Sequence, residues 1–223
     1  MLEQYFPNEC QIAGEIPTAI IDTLKMIFIP GVIAFLVGLV LAMSVVVSRK
    51  DGIKPNRILF NIVDLFINLF RSIPFVILIA VMASPTRLIM GTSIGVKGAY
   101  PALILGTIPF FARQIESAFR EVDSGLIEAS QAMGLSTWDI ITRVYLRESV
   151  PSLVRAVTIT LISLVGLTAI AGAIGAGGLG DMAIRYGYNR YMDDVTLVIV
   201  IIILIIVSLI QVIGDLIIKK TTH

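Results

Sequence analysis

Met26 to Val47, MIFIPGVIAFLVGLVLAMSVVV, is a run of 22 residues without a charge. A helix rising about 1.5 Å per residue needs about 20 residues to cross the hydrocarbon core of a bilayer, so this run is long enough to span one. Ala156–Ala176 and Val195–Gly214 are further uncharged runs of sufficient length. Two weaker candidates, Ile58–Ala83 and Gly95–Ala112, are interrupted or bounded by Asp64, Arg71 and Arg113. Helices packed inside a bundle can carry such residues at their ends or on a protected face. Since 57% of the residues are hydrophobic and only 15% charged, water is not the main solvent of this chain. The expectation is an all-α membrane protein of one domain, 1–223, with about five spans near 19–47, 58–83, 95–119, 150–176 and 195–217.

Basic residues orient such a chain, because Lys and Arg accumulate on the cytoplasmic side. The segment after the first span, SRKDGIKPNR, carries Arg49, Lys50, Lys54 and Arg57; the segment before it carries Glu3, Glu9, Glu15 and Asp22 against Lys25. The N-terminus is therefore expected outside and the first loop inside. With five spans, a segment at about 120–148 and the tail with Lys219 and Lys220 face the cytoplasm, and Gly177–Asp194 lies outside.

Several chemistries are excluded by residue inventory. Cys10 is the only cysteine and His223 the only histidine, which leaves no internal disulfide and no Cys/His metal cluster. The residues before Cys10 lack the basic start and apolar core of a cleaved signal, so a lipidated N-terminus is not expected. There is no H-E-x-x-H and no Ser/His or Cys/His pair within the spans, so enzyme chemistry has no carrier. GAGGLG at Gly175–Gly180 matches G-x-G-x-x-G, but a dinucleotide site needs a strand before it and a helix after it. Here a membrane-length apolar run precedes it, so the match is accidental.

Its glycines have another use. Ala169, Ala173 and Gly177 form one i, i+4 row and Gly172, Ala176 and Gly180 a second, giving small faces where helix backbones come close. Leu167, Ile170 and Ile174 project bulk from the same stretch. They are candidates for closing the outer end of a translocation route, with plain core packing as the alternative.

The segment EVDSGLIEASQAMGLSTWDIITRVYLRESVP, Glu121–Pro151, reads as two helices around a tight turn. A short helix runs near Gly125–Met133, Gly134 sits where a left-handed residue ends it, and Ser136–Asp139 offers a capping box for a second helix to about Leu146. A DNA-reading helix-turn-helix has this outline, but Arg113 to Arg155 holds five Arg and no Lys against six acidic residues. Nucleic acid, which wants a basic face, is not an expected partner. Docking against another protein is the better use of an exposed helix pair.

EASQAMGLSTWDIITRVYL resembles the E-A-A-x-x-x-G-x(9)-I-x-L-P signature of permease subunits of bacterial ABC importers. Glu128, Ala129, Gly134 and Leu146 match it; Ser130 replaces the second Ala, Val144 the Ile and Arg147 the Pro. RSIPF at Arg71–Phe75, GTSIG at Gly91–Gly95, GAGGLG and the YGY at Tyr186–Tyr188 extend the resemblance to the methionine importer's permease subunits, over about residues 60 to 220. The resemblance implies a type I importer permease fold working as a homodimer in the bacterial inner membrane. It also implies two cytosolic ATPase subunits and an extracytoplasmic substrate-binding lipoprotein. Glu128, Ala129, Ser130 and Gly134 become the ATPase-coupling helix, with Trp138 either a docking anchor or a membrane-interface residue.

No G-x-x-x-x-G-K-[ST] occurs in the chain, so no cofactor is expected on it and ATP with Mg belongs to the partner ATPase. Methionine is implied as substrate by the resemblance alone. Another amino acid, a small organic ion, and an ion-driven carrier stand as alternatives.

Overall fold

The structure, a computed structural model, describes residues 12–221; Glu3, Glu9, Cys10, Thr222 and His223 lie outside that range. Among the described residues there is no strand. The long elements are α1, Ile16–Ser48; α2, Arg57–Arg71; α3, Phe75–Met90; and α4, Gly95–Arg120. A short α5, Ser124–Ala132, precedes a helical stretch at 137–148, here α6, whose centre, Ile140–Tyr145, is a π turn. Then come α7, Val150–Ala171, continued by a π turn over Gly172–Ala176, the short α8, Gly178–Met182, and α9, Asp193–Thr221. Among the described residues three helical stretches, Ile16–Ser48, Val150–Ala176 and Asp193–Thr221, are by themselves long and apolar enough to cross a membrane.

The stretch expected to be one span at 58–83 is two helices, α2 and α3, broken at Ser72–Pro74. The reason is local. Pro74 has no N–H to continue the ladder and stands at φ −57°, ψ 134° as the N-cap of α3, and a residue before proline avoids the helical region. Asn56 starts α2 by accepting from the Ile58 and Leu59 N–H groups, and Gly91, at φ +75°, ends α3 well beyond Ala83.

The chain divides into two compact units. One comprises the described part of Met1–Val32 with Ile73–Gly106 and Leu161–Gln211. Its core holds Met26, Ile27, Leu103, Leu164, Leu179 and Ile199, all at most 1% exposed. The other comprises Ile33–Ser72, Thr107–Thr160 and the described part of Val212–His223. There Val45, Val63, Ile67 and Ala112 are buried together, and Phe35 meets Phe111 edge-on at 5.7 Å. Close backbone approach sets this packing: a Cβ on Gly38 would fall 2.9 Å from that of Phe111. Along α9, by contrast, Leu197, Ile201, Leu204, Leu209 and Ile213 are exposed, as suits a helix whose surroundings are apolar.

Candidate functional site

The helix-turn-helix segment forms as the residue pattern requires. Asp123 caps α5 by accepting from Gly125 N–H, and Ser136 caps α6 by accepting from Asp139 N–H at 3.1 Å. Gly134 takes φ +79°, and Leu135 N–H donates back to the Ser130 carbonyl, closing the turn that only a left-handed residue allows. The Ser136 hydroxyl also bonds the Asp139 carboxylate, and this bond first, then Arg143, holds that carboxyl below its ordinary pKa. A group depressed in the folded state contributes stability above its unfolded pKa and loses it as pH falls through the folded one. The ionised carboxylate therefore reinforces the cap at neutral pH, and that reinforcement is lost as pH falls through the lowered pKa.

Arg147 stands where the permease signature has Pro, and α6 accordingly runs on to Glu148 and breaks at Ser149, ahead of Pro151 in the first turn of α7. The elbow is fastened from beneath. Phe119 and Tyr145 meet edge-on at 5.8 Å, Tyr145 is 5% exposed, and Ser152 donates to the Glu121 carboxylate. Burial raises the Tyr145 pKa, keeping the phenol neutral.

Glu128, Ala129 and Gly134 are exposed on this elbow together with Trp138, 72% exposed. Ser130 is not among them. It is buried, its hydroxyl returned to the Leu126 carbonyl, so it packs the inner side of the elbow. Met133, 71% exposed, and Leu126 complete the apolar part of the face, a contribution the signature does not mark.

The small residues near GAGGLG do meet closely, but not as two straight rows. The helix departs from regular geometry at Ile174 and Gly175, and Gly175, Gly177 and Gly178 all have φ between +76° and +95°. Gly177 and Gly180 therefore leave the helix that carries Ala169 and Ala173, and α8 folds back onto it. A Cβ on Gly180 would lie 2.6 Å from the Ala169 Cα, and one on Gly172 2.4 Å from the Asp181 nitrogen. Thr23 of α1 accepts from Leu179 N–H at 2.9 Å and pins the reversal. Ala176 and Gly172 are buried, whereas Ala173 is exposed. Leu167 packs against the core, Ile170 is half-buried and Ile174 is exposed.

Two polar clusters escape a residue-by-residue reading. Arg113 binds the Asp64 and Glu116 carboxylates and donates to Asn68 at 2.8 Å, so Asp64 and Arg113, two of the charges that interrupt or bound the weaker candidate spans, pair with each other. Asp64 and Arg113 were visible in the sequence; their pairing across 49 positions was not. Arg113→Gln is expected to leave two carboxylates short of a cation and to cost about 2 kcal/mol, read as a lowered thermal midpoint of purified protein. The second cluster joins Glu15 to Arg185 at 3.1 Å and to the Tyr186 hydroxyl at 2.8 Å.

Three helical stretches long and apolar enough by themselves to cross a membrane, with an exposed helix-glycine-helix elbow, define the class: a multi-pass all-α membrane protein. The chain belongs to the family of binding-protein-dependent transport system inner membrane components, whose model matches residues 34–222. It is 42% identical over 206 residues to a probable D-methionine transport system permease protein of Vibrio cholerae, covering 92% of each chain. It is 45% identical over 217 residues to a methionine import system permease protein of Bacillus subtilis, covering 97% of each. Among solved structures, an inward-facing MetNI methionine ABC transporter superposes with a TM-score of 0.91 at 42% identity, covering 96% of this chain and 99% of that one. The fold is that of a type I ABC importer permease, a multi-pass all-α membrane protein.

Proposed function

We propose that this chain is the permease subunit of an ATP-driven methionine importer, a transport subunit and not an enzyme. It would line the membrane route and receive its drive from a separate ATPase through Glu128–Gly134. The near full-length identity to the methionine permease of Bacillus subtilis carries the reading. The exposed elbow supplies a mechanism: a rigid, glycine-ended helix presenting Glu128, Met133 and Trp138 to a partner's cleft.

In this reading the chain pairs with a second copy of itself, and two cytosolic ATPase subunits hold ATP and Mg. A substrate-binding lipoprotein delivers methionine from outside. Five spans, the second carried by the broken pair α2 and α3, put the N-terminus outside, the elbow and C-terminus in the cytoplasm. Ile170 and Ile174, beside the folded-back α8, close the route at its outer end; Leu167, packed in the core, only supports them.

Labelled methionine uptake by cells lacking this chain is the direct test. Uptake is expected to fall to background and return when the chain is restored. Unchanged methionine uptake alongside a lost uptake of another amino acid or organic ion would replace the substrate, and uptake driven by an ion gradient without ATPase would replace the class.

A further inference from the structure

The loop after α1 is folded back on the helix that precedes it. Gly52 N–H donates to the Arg49 carbonyl, Lys54 N–H to Val47 and Asn56 N–H to Ser48, all within 3.0 Å. The turn is tight enough that a Cβ on Gly52 would strike the Val46 carbonyl oxygen at 2.4 Å. Backbone hydrogen bonds of this density fix where the flanking side chains sit.

They sit around an open cavity of about 780 Å³ whose walls include Arg49, Lys50, Arg57, Phe60 and Asn61. Asp51 is the one acidic residue among Ser48–Asn61, and it is paired to Arg49 at 2.9 Å. Lys50 and Arg57 form no ion pair among the described residues. The apolar part of the wall is the half-buried Phe60; Ile58, 74% exposed, and Ile62, 62% exposed, stand on a neighbouring face of α2. The preference of Lys and Arg for the cytoplasmic side explains their presence in this loop. It does not explain a tight turn that brings two unneutralised cations to one recess beside Phe60.

We propose that this recess binds the phosphate headgroup of an anionic phospholipid, with Lys50 and Arg57 holding the phosphate oxygens, Asn61 bonding the headgroup hydroxyls, and the acyl chains passing Phe60 toward the exposed apolar face of α2. Arg supplies paired N–H donors to phosphate and Lys a point charge, a combination that suits a phosphodiester. Basic recesses at the membrane surface take anionic headgroups in this manner. A zwitterionic headgroup adds a quaternary ammonium that the cationic rim repels.

Delipidated full-length protein, purified with its ATPase, is titrated with dihexanoyl phosphatidylglycerol, dihexanoyl phosphatidylcholine and inorganic phosphate, and bound species are counted by native mass spectrometry. Phosphatidylglycerol is expected to bind about tenfold more tightly than phosphatidylcholine, and Lys50→Gln with Arg57→Gln to abolish that preference. Lys50→Arg with Arg57→Lys should retain it, which separates charge from folding. Should the Gln variant fail to fold, loss of the wild-type preference in high salt decides the same point. Equal binding of the two lipids, an unchanged Gln variant, or inorganic phosphate binding as tightly as phosphatidylglycerol overturns the proposal.

Discussion

Gly172→Ala is expected to remove most of the folded protein from the membrane, although the added group is a single methyl. In an ordinary helix the exchange stabilises by roughly 0.5 to 1 kcal/mol, because glycine loses more backbone freedom on folding. Here the sign reverses for want of space. The new Cβ would stand 2.4 Å from the Asp181 nitrogen and 2.7 Å from the Gly180 carbonyl carbon, which are backbone atoms and cannot turn aside as a side chain can. Relief requires α8 to move off α7, and the contact is reciprocal, since Gly180 needs the same space against Ala169. The hydrogen bond from Leu179 N–H to Thr23 would be lost with it. A loss above about 3 kcal/mol is expected, at the upper end of overpacking costs.

Gly166, six residues earlier on the same helix, provides the control. Nothing lies within 4 Å of a Cβ built there, so Gly166→Ala should be neutral or slightly stabilising. The two variants are compared by the yield of monodisperse protein after extraction and by thermal midpoint. Equal behaviour would mean that α7 and α8 do not meet as described.

The contrast between these glycines also marks how far the sequence could be read. Uncharged length located α1, α7 and α9, because a bilayer demands about 20 apolar residues whatever the neighbours are. Local hydrogen bonding placed Gly134 and the Ser136 cap, since both depend on residues within one turn. What failed to show was long-range. The small residues from Ala169 to Gly180 have helical spacing, and nothing in that spacing reveals that positive φ at Gly175, Gly177 and Gly178 turns the chain back. Pro74 is visible in RSIPF, but the apolar run on either side of it does not show that α2 ends at Arg71 and α3 begins anew at Phe75. Ser130 illustrates the limit within the elbow itself: the signature names the position, but only the fold shows that its hydroxyl is turned to Leu126 and buried.

Glu128→Ala is expected to separate ATP hydrolysis from methionine uptake while leaving the permease folded. Glu128 is exposed on α5, so truncation opens no cavity and removes no bond that holds the elbow together. The elbow's own fastenings, the Asp123 and Ser136 caps and the Phe119 to Tyr145 contact, remain in place. What is lost is a carboxylate able to accept a charge-assisted bond from an ATPase arginine or backbone N–H. Such a bond is worth about 1.5 to 3 kcal/mol, or roughly a tenfold to hundredfold loss of coupled transport. Gly134→Asp reaches the same end differently: an L side chain at φ +79° costs about 1 to 2 kcal/mol and reorients α5 against α6. Uptake and ATPase rate are measured together in vesicles holding the permease with the proposed ATPase and substrate-binding partners. Glu128→Ala should leave hydrolysis running and uptake depressed, and Glu128→Gln should fall between, because it keeps the acceptor oxygen and loses the charge. If both substitutions transport at the unaltered rate, the drive enters the permease elsewhere, and the exposed apolar pair Met133 and Trp138 becomes the next place to cut.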